Sequence, residues 1–386
     1  VNEISLTERP FFFEQKGNYV FVGIRQAGKS YLLYQRIQQL LREEHNINEI
    51  VYINFDDERL RQMTADNLDL ILQAYHSLFD LRPLLFFDEI QNIEGWEHFA
   101  RRLANQKYNI YITGSNAKML SREIATTLGG RFWNKDVYPY SFAEYLNARN
   151  IILSKNWMYG KQAAEVSKAF NDYFLYGGFP ELTDVIAKRV WLNDIYSKIF
   201  FSDLIVRNKV RNEEALGLLV RRLAENVKQP VSYTRLANLI SSIGIKISKA
   251  TVIEFIRYLK ESCLIFPIEN YAAKFAERNS NMKHYFIDNG LLSIFLLDGN
   301  TSLLENIVAI HLYKRYGAQL YFYNQNIEVD FIIPEAKTAI QVSYSLMDET
   351  TCRREVEGLI KLNRVFPMDN MCIITRDEER IITHES

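Results

Sequence analysis

The chain has 386 residues, a length that predicts about two to three domains. With 48% hydrophobic and 13% aromatic residues, it has ample material for buried cores. Its 46 basic and 47 acidic side chains give a formal net charge of −1. That balance excludes a whole-chain field as the means of attracting nucleic acid or a membrane, so any such partner has to be recognised locally.

The cysteines and histidines exclude further classes. Three scattered cysteines without CxxC spacing indicate a reducing, cytoplasmic setting rather than a disulfide-stabilised secreted protein. The six histidines show no ligand spacing, so a structural zinc ion is not expected. No apolar run reaches the length of a membrane span and the first residues lack a signal-peptide pattern, so no membrane partner is expected.

The first predicted element is a β-strand over residues 18–22, an apolar and β-favouring run. Apolar positions such as Leu33 and Ile37 predict a helix that begins near Lys29. Between the strand and the helix, residues 23–30 read GIRQAGKS, which fits the GxxxxGK[ST] pattern of a phosphate-binding P-loop. A bound phosphate would therefore lie at a helix N-terminus, where free N–H groups and the helix dipole favour anions.

The chemistry of a P-loop explains the residue types. Glycines let the backbone fold around a polyphosphate so that its N–H groups point inward. Lys29 is expected to reach the β- and γ-phosphates, and Ser30 to give a neutral oxygen to Mg²⁺. The alternative is a glycine-rich turn with a coincidental lysine. The predicted nucleotide-binding residues are Gly23, Ile24, Arg25, Gln26, Ala27, Gly28, Lys29, Ser30 and Tyr31.

A second strand is predicted over residues 49–55, and a further apolar run at 83–87 is followed directly by Asp88 and Glu89. This is the Walker B pattern, because a buried parallel strand is a near-continuous apolar run and its C-terminal edge faces the nucleotide crevice. Asp88 is expected to hold magnesium through water, and Glu89 to orient and deprotonate the attacking water. The alternative is a strand that ends in a solvated acidic turn.

A fourth strand at residues 108–113 ends in polar residues that would lie between the two Walker motifs. Asn116 is the first choice for a residue that senses the γ-phosphate or holds the water, and Ser115 is the second. The alternative is that one of them caps the helix that begins near Lys118.

The strings GIRQAGKS, FFDEIQ, TGSNA, LGGRF and YPYSFAEYL together carry a resemblance. The chain resembles the AAA+ superfamily ATPases of bacteria and archaea that carry a C-terminal domain of unknown function. The strings YGGFPE, ENIVA and EVDFI also fit, so the resemblance covers essentially the whole chain.

This resemblance implies an α/β fold with a parallel sheet of order 5-1-4-3-2 and ATP, rather than GTP, as the nucleotide. It also makes Arg131, and with less support Arg122, a candidate for contact with the γ-phosphate in the same chain or from a neighbouring subunit. The second case would require a homo-oligomer. An exposed arginine at a helix end is the plain alternative.

Four segments are predicted. Residues 1–140 would form the AAA+ core, and residues 141–211 read as an aromatic helical subdomain with amphipathic runs, which the resemblance implies is the lid over the nucleotide. Residues 212–288 carry three amphipathic helices and two strands that fit a winged-helix domain. Residues 289–386 would form an α/β domain resembling restriction endonucleases.

The third helix of the winged-helix candidate is the one that would enter a major groove of double-stranded DNA. Its predicted outer face shows Lys249, Arg257 and Lys260, and residues 221–261 hold eight basic against three acidic side chains. Winged helices also bind proteins and solvated helices are often this basic, so DNA and a protein partner both stay open.

The last segment has the element order of a PD-(D/E)xK nuclease core, with Glu305 on its first helix and Asp330 on its second strand. Metal-dependent cleavage needs Glu-x-Lys on the third strand, because a second acid holds Mg²⁺ and the lysine positions the water. Here that triplet is Gln341-Val342-Ser343. We therefore predict a fold without nuclease activity; Lys337, in the connecting turn, is a weaker candidate for a displaced lysine.

The leading hypothesis is an ATP-hydrolysing protein whose nucleotide state alters a DNA- or partner-binding C-terminal region. The alternative is a nucleotide-gated binding or scaffold protein with negligible ATP turnover. An active nuclease is the third possibility and the one least expected.

Overall fold

The structure, a computed structural model, describes residues 6–120, 122–274, 278 and 280–383. The helices are α1 Lys29–Arg42, α2 Asp69–Leu78, α3 Trp96–Asn105, α4 Arg122–Leu128, α5 Phe142–Ala148, α6 Lys161–Tyr176, α7 Lys188–Lys198, α8 Glu213–Glu225, α9 Tyr233–Ser241, α10 Lys249–Glu261, α11 Asn289–Ser293, α12 Asn300–Tyr316 and α13 Glu349–Val365. The strands are β1 Asn18–Val22, β2 Ile50–Asn54, β3 Leu84–Asp88, β4 Asn109–Gly114, β5 Phe132–Asp136, β6 Val231–Ser232, β7 Ile265–Asn270, β8 Asn281–Phe286, β9 Tyr321–Asn324, β10 Glu328–Ile333, β11 Thr338–Val342 and β12 Asn370–Ile374.

The chain divides into two compact units. The first comprises the residues up to Lys155 together with Phe179–Asp184 and Glu261–Cys263. The second comprises Asn156–Gly178, Val185–Lys260 and the residues from Leu264 onward.

The first unit is built on a five-stranded parallel sheet of order β2-β3-β4-β1-β5. Read from its other edge this is 5-1-4-3-2, so the predicted α/β class and strand order are confirmed. The five residues of β3 are all buried, as expected for a strand covered on both faces. The order brings the C-terminal ends of β1, β3 and β4 to one edge of the sheet, where the P-loop begins.

Different side chains cover the two faces of this sheet. On one face, Trp96, Phe99 and Leu103 of α3 pack against apolar residues of the strands. On the other face the rings of Tyr19 and Tyr111 stack with centroids 5.8 Å apart. These two layers hold the strand ends that carry the polar residues of the candidate site.

The second unit contains a seven-stranded mixed sheet of order β12-β11-β10-β9-β7-β8-β6. The elements predicted over 212–288 are present: Ser232 accepts a hydrogen bond from the Arg235 amide at the start of α9, and Ser248 accepts one from the Thr251 amide at the start of α10. Strand β7 pairs in parallel with β9, so the hairpin of β7 and β8 and the strands of the last segment belong to one sheet. The winged-helix assignment and the boundary at residue 288 stay predictions.

A buried polar network closes the end of α6 in the second unit. The Asp288 carboxylate accepts hydrogen bonds from the amides of Gly178 and Gly290 at 2.7 and 2.8 Å. Burial raises the pKa of Asp288 to about 6 in spite of these amides. Gly177 has a φ of 78°, and a Cβ there would overlap the same carboxylate, so this position needs glycine.

The last segment has the predicted order of helix, three strands, helix and strand, in α12, β9 to β11, α13 and β12. Glu305 lies on α12 and Asp330 on β10, as expected. Within the described parts of the chain, none of the helices is both long and apolar enough to cross a membrane.

Candidate nucleotide site

The P-loop connects the end of β1 to the start of α1, as predicted. Gly28 precedes the helix with a φ of 90°, and Gln26 has a φ of 61°. Both values lie in the left-handed region, which glycine adopts without strain and other residues rarely adopt. The loop therefore turns its backbone sharply, as a phosphate cradle requires.

Gly23 is required for a different reason, the close approach of a neighbouring backbone. A Cβ at Gly23 would overlap the carbonyl oxygen of Val137, just beyond β5. The Gly23 amide also donates to the Gly114 carbonyl at the end of β4, at 3.4 Å. The first glycine of the loop thus lets three strand ends meet.

Lys29 is buried within the loop, with 4% of its surface exposed. Its Nζ donates to the carbonyl oxygens of Gly23 and Ile24 at 3.2 and 3.0 Å. It also lies 3.7 Å from Oε1 of Glu89. The ammonium donates to two carbonyl oxygens, and phosphate oxygens could replace them as acceptors.

Asp88 ends β3 and is buried. The Tyr52 hydroxyl donates to its Oδ2 at 2.7 Å and the Thr113 hydroxyl donates to its Oδ1. Burial and the Asp88 charge raise the pKa of Tyr52, so that hydroxyl stays a donor at neutral pH. Donors from β2 and β4 therefore fix the carboxylate that was expected to hold magnesium.

Glu89 follows with a φ of 54°, a left-handed conformation that is uncommon outside glycine. Its amide donates to the Thr113 hydroxyl at 3.0 Å. Burial opposes ionisation of its carboxyl group, but Lys29 and hydrogen bonds from Gln91 and Ser115 outweigh it, so the pKa of Glu89 is lowered. The unusual backbone directs an ionised carboxylate toward Lys29.

The two candidate sensors differ in their hydrogen-bond partners. Ser115 is buried and accepts a hydrogen bond from Nε2 of Gln91 at 3.3 Å, and Gln91 also donates to Glu89. Oδ1 of Asn116 instead accepts from the Lys118 amide at 2.8 Å, which is the capping alternative. Ser115 therefore belongs to the Glu89 cluster, and a sensor role for Asn116 stays a prediction.

The remaining residues of the predicted loop differ in their burial. Ile24 and Ala27 are buried, and Arg25 and Ser30 are partly buried. Tyr31 is 54% exposed and its ring lies edge-on to that of Tyr34. Pro180, from the Pro180–Thr183 turn, lies 3.6 Å from where a Cβ of Gly28 would be.

Arg131 lies at the opposite edge of the sheet. Its carbonyl accepts from the Asn18 side chain at the start of β1, and its exposed guanidinium donates to the Gly129 carbonyl at 3.0 Å. The length of β1, about 13 Å, separates this edge from the P-loop. Arg131 is therefore out of reach of a phosphate bound in the same chain, and action from a neighbouring subunit stays a prediction; the Arg122 side chain lies outside the described residues.

Sequence reasoning missed three residues that hold the acidic pair. Tyr52 lies on β2, Thr113 on β4 and Gln91 just beyond the Walker B strand. Thr113 had a usable signal, because it is a polar residue at the buried end of an apolar strand beside the Walker B strand. Tyr52 gave none, since a tyrosine in an apolar strand reads as packing.

These residues fit Mg²⁺ and a nucleoside triphosphate. The donor set is one hydroxyl, from Ser30, and one buried carboxylate, from Asp88, and magnesium prefers such oxygen ligands together with water. Lys29 and the loop amides supply positive charge and donors for phosphate oxygens. Ser30 and Asp88 would thus hold the ion, and Lys29 would face the terminal phosphates.

The residues at the Glu-x-Lys positions of the nuclease-like segment make hydrogen bonds within that segment. Oε1 of Gln341 accepts from the Asp330 amide at 2.9 Å, and its Nε2 donates to the Glu328 carbonyl at 3.0 Å, so both ends of the amide are engaged. Ser343 donates to the Ser345 carbonyl. Lys337 is exposed in a turn and its ammonium lies 3.6 Å from Asp369, and the absence of a nuclease lysine stays a prediction.

The parallel sheet, the P-loop and the Walker B pair define the class of the first unit as an AAA+ P-loop NTPase fold. In agreement, residues 15–146 match the AAA domain family. Residues 167–302 match a second family, described as a domain of unknown function (DUF8612).

Two relatives show which protein family the chain belongs to. The chain is 34% identical over 371 residues to "Uncharacterized protein MJ1544" of Methanocaldococcus jannaschii, covering 93% of this chain and 82% of that protein. It is 30% identical over 354 residues to an "Uncharacterized protein" of Haemophilus influenzae, covering 89% and 86%. The chain therefore belongs to the same family of AAA-domain proteins as MJ1544.

Similarity to solved structures is weak. The Aeropyrum pernix ORC1 protein, in complex with DNA, aligns with 77% of this chain and 88% of its own at 14% identity and a TM-score of 0.30. Cdc6p from Pyrobaculum aerophilum aligns with 76% and 88% at 11% identity and the same TM-score of 0.30. A likeness of this strength indicates nothing about what the present chain binds.

Proposed function

We propose that this protein binds Mg²⁺–ATP at the P-loop and hydrolyses it, and that the nucleotide state alters a C-terminal region that contacts DNA or a protein partner. One observation carries the proposal. The Lys29 ammonium and the Glu89 carboxylate lie 3.7 Å apart at the P-loop, beside the buried Asp88. A phosphate-binding cation, a general base and a metal-binding acid are the parts that phosphoryl transfer to water requires.

Each residue has a separate task in this proposal. Magnesium, when bound, supplies neutralisation of the phosphate charge. Lys29 leaves the Gly23 and Ile24 carbonyls for the terminal phosphates. Glu89 would then take a proton from the attacking water. Thr113, Gln91 and Ser115 keep Glu89 in place and exclude bulk water from one side.

We expect Lys29→Ala to abolish ATP-dependent phosphate release. The variant loses the charge that contacts the terminal phosphates, and a void remains in the loop. Phosphate release at saturating Mg²⁺–ATP measures the effect, with Lys16→Ala, an exposed lysine ahead of β1, as the control. Equal rates for wild type, Lys29→Ala and Lys16→Ala would contradict the assignment.

The second candidate function is a nucleotide-gated scaffold with negligible turnover. The position of Arg131 favours it, because the guanidinium is out of reach of a phosphate in the same chain and a neighbour would have to supply one. Tight ATP binding without phosphate release, even with duplex DNA present, would support the scaffold. Light scattering with and without ATP tests whether a homo-oligomer forms.

For the C-terminal region, DNA contact would use the outer face of α10. Lys249, Arg257 and Lys260 are exposed there, although Arg257 lies 3.8 Å from Glu254 on the same helix. Glu254 also accepts from the Tyr258 hydroxyl, at 2.5 Å. The surface is therefore basic but partly neutralised, which suits a few phosphate contacts rather than strong steering.

If α10 contacts phosphates, the Lys249→Ala/Arg257→Ala double variant should bind duplex DNA more weakly. Each lost phosphate contact should reduce the slope of log K against log salt by about 0.9. The measurement is a fluorescence titration over a salt series, with Lys361→Ala on α13 as the control for general charge removal. An unchanged slope in the double variant would exclude α10 as the DNA-binding surface.

A further inference from the structure

A buried lysine lies beneath a cleft of about 520 Å³ in the second unit, and none of the functions above uses it. Lys283 comes from β8 and none of its surface is exposed. Its Nζ lies 3.2 Å from Oε1 of Glu305 on α12 and 3.1 Å from Oδ1 of Asp330 on β10. These are the two acidic residues that the sequence places in a nuclease-like core, and Asp330 stands at the metal-binding position of its second strand.

Three carboxylates lie within 3.6 Å of the Lys283 Nζ. Burial alone would lower its pKa, but Glu305, Asp330 and the more distant Glu328, at 3.6 Å, outweigh burial, so the pKa of Lys283 is raised. Tyr285, two residues further along β8, donates its hydroxyl to Glu305 at 2.7 Å. The carboxylates thus surround an ammonium and not a vacant space.

Burial and the nearby Asp330 charge raise the pKa of Glu305, although Lys283 and Tyr285 act against them. Without the ammonium, two carboxyl groups would share one buried site, an arrangement that strongly disfavours ionisation of both. The positive charge of Lys283 therefore stabilises the packing of β8, α12 and β10 against one another.

A divalent cation does not fit this arrangement. Magnesium needs oxygen ligands at about 2.0–2.1 Å in octahedral geometry, and an ion within reach of Glu305 and Asp330 would lie against the Lys283 ammonium. The other oxygen of Asp330 accepts from the Val342 amide at 2.9 Å. Among the described residues, no group of three or more acidic, histidine or cysteine side chains could hold a metal ion.

We propose that Lys283 is the resident cation of this cleft. Its ammonium occupies the place between Glu305 and Asp330 that a metal ion would need, and so closes the cleft to Mg²⁺ and to metal-assisted phosphodiester hydrolysis. The carboxylates pair with Lys283, while Gln341 and Ser343 stand at the Glu-x-Lys positions. Because β8 also pairs with β7, the cation joins the hairpin to the nuclease-like segment.

Replacing the ammonium should open a metal site. Lys283→Met keeps much of the side-chain volume but leaves Glu305 and Asp330 without a cation. We expect nucleotide-free wild type to bind no Mn²⁺ at this cleft and Lys283→Met to bind one ion. The number of bound Mn²⁺ ions is measured with and without Asp330→Asn, both in the wild-type background and in Lys283→Met. The difference within each background counts the ions held at this cleft, because binding elsewhere in the chain cancels. That difference should be zero in the wild-type background and one in Lys283→Met.

Thermal unfolding provides the second readout. Lys283→Met should unfold at a lower temperature than wild type in EDTA and recover part of the loss with Mn²⁺, whereas wild type should not respond through Asp330. Lys361→Met, a half-exposed lysine on the rim of the same cleft, should match wild type in both assays. If Lys283→Met does not fold, Lys283→Gln takes its place.

Two results would overturn the proposal. One is a Mn²⁺ ion in wild type that Asp330→Asn removes, because the native cleft would then take a metal beside Lys283. The other is a folded Lys283→Met or Lys283→Gln variant that gains no ion, because the two carboxylates would then not form a cation site at all. Neither outcome depends on ATP hydrolysis.

Discussion

Glu89→Gln should lower the rate of phosphate release by about 10²- to 10⁴-fold, the usual contribution of a general base. The amide keeps the shape of the side chain and can still accept from Gln91, but it cannot take a proton from water. ATP binding should be retained or strengthened, because the variant also removes the negative charge that attracts Lys29 at 3.7 Å. Phosphate release and equilibrium binding of a fluorescent ATP analogue, measured on the same preparation, separate the two effects.

The matched control for this substitution is Glu94→Gln. Glu94 is an exposed acid five residues further along the same segment, so its variant makes the same chemical change outside the site. It should behave as wild type in both assays. A Glu89→Gln variant that loses ATP binding and turnover to the same extent would contradict the role of Glu89 as a base.

Gly23→Ala should abolish ATP binding. The new methyl group would overlap the Val137 carbonyl oxygen, and a backbone atom cannot rotate away as a side chain would. The loop must therefore shift, which breaks the 3.4 Å hydrogen bond from the Gly23 amide to the Gly114 carbonyl. We expect a loss of about 1–3 kcal/mol in the free energy of unfolding from overpacking, measured by denaturant titration.

Gly160→Ala is the control for Gly23→Ala. A Cβ at Gly160 would meet no atom within 4 Å, and the backbone there is extended with a φ of −132°. This variant should bind ATP as wild type does and unfold at the same denaturant concentration. If Gly23→Ala also bound ATP normally, the close approach of Val137 would not be a constraint on the loop.

The nucleotide-binding fold could be predicted largely from sequence because its signals are local. The apolar run of β1, the GxxxxGK[ST] loop and the periodicity of α1 are contiguous, and each constrains the backbone by itself. The Walker B strand ends in an acidic pair that is costly to bury without a purpose. The strand order came from the resemblance, and the structure confirms it.

The precise neighbours of the acidic pair could not be predicted in the same way. Thr113 and Tyr52 reach Asp88 from strands on either side of β3, which is a consequence of strand order and register rather than of sequence distance. The position of Arg131 is also a consequence of how the strands are arranged. It precedes β5, which runs parallel to β1, so its side chain starts from the edge opposite the P-loop.

The contact of Lys283 with Glu305 and Asp330 could not be predicted from the nuclease pattern. The Glu-x-Lys pattern of nucleases places the lysine on the third strand, and Lys337 lies in the turn before that strand. The lysine that contacts Glu305 and Asp330 comes from β8, about 50 residues earlier, and reaches them only because β7 pairs with β9. Lys283 and Tyr285 lie on one face of β8, and the position of a lysine within this strand was a usable signal, since a buried lysine requires a partner.

A single-turnover experiment distinguishes ATP hydrolysis at the P-loop from nucleotide binding without turnover. Protein in excess over γ-labelled ATP with Mg²⁺ is incubated, quenched and assayed for inorganic phosphate, so that slow product release does not hide the chemical step. If Glu89 is the general base, wild type converts bound ATP to ADP and phosphate, whereas Glu89→Gln retains it intact. Intact ATP on both proteins after the same time would contradict hydrolysis at this site and favour the nucleotide-gated scaffold.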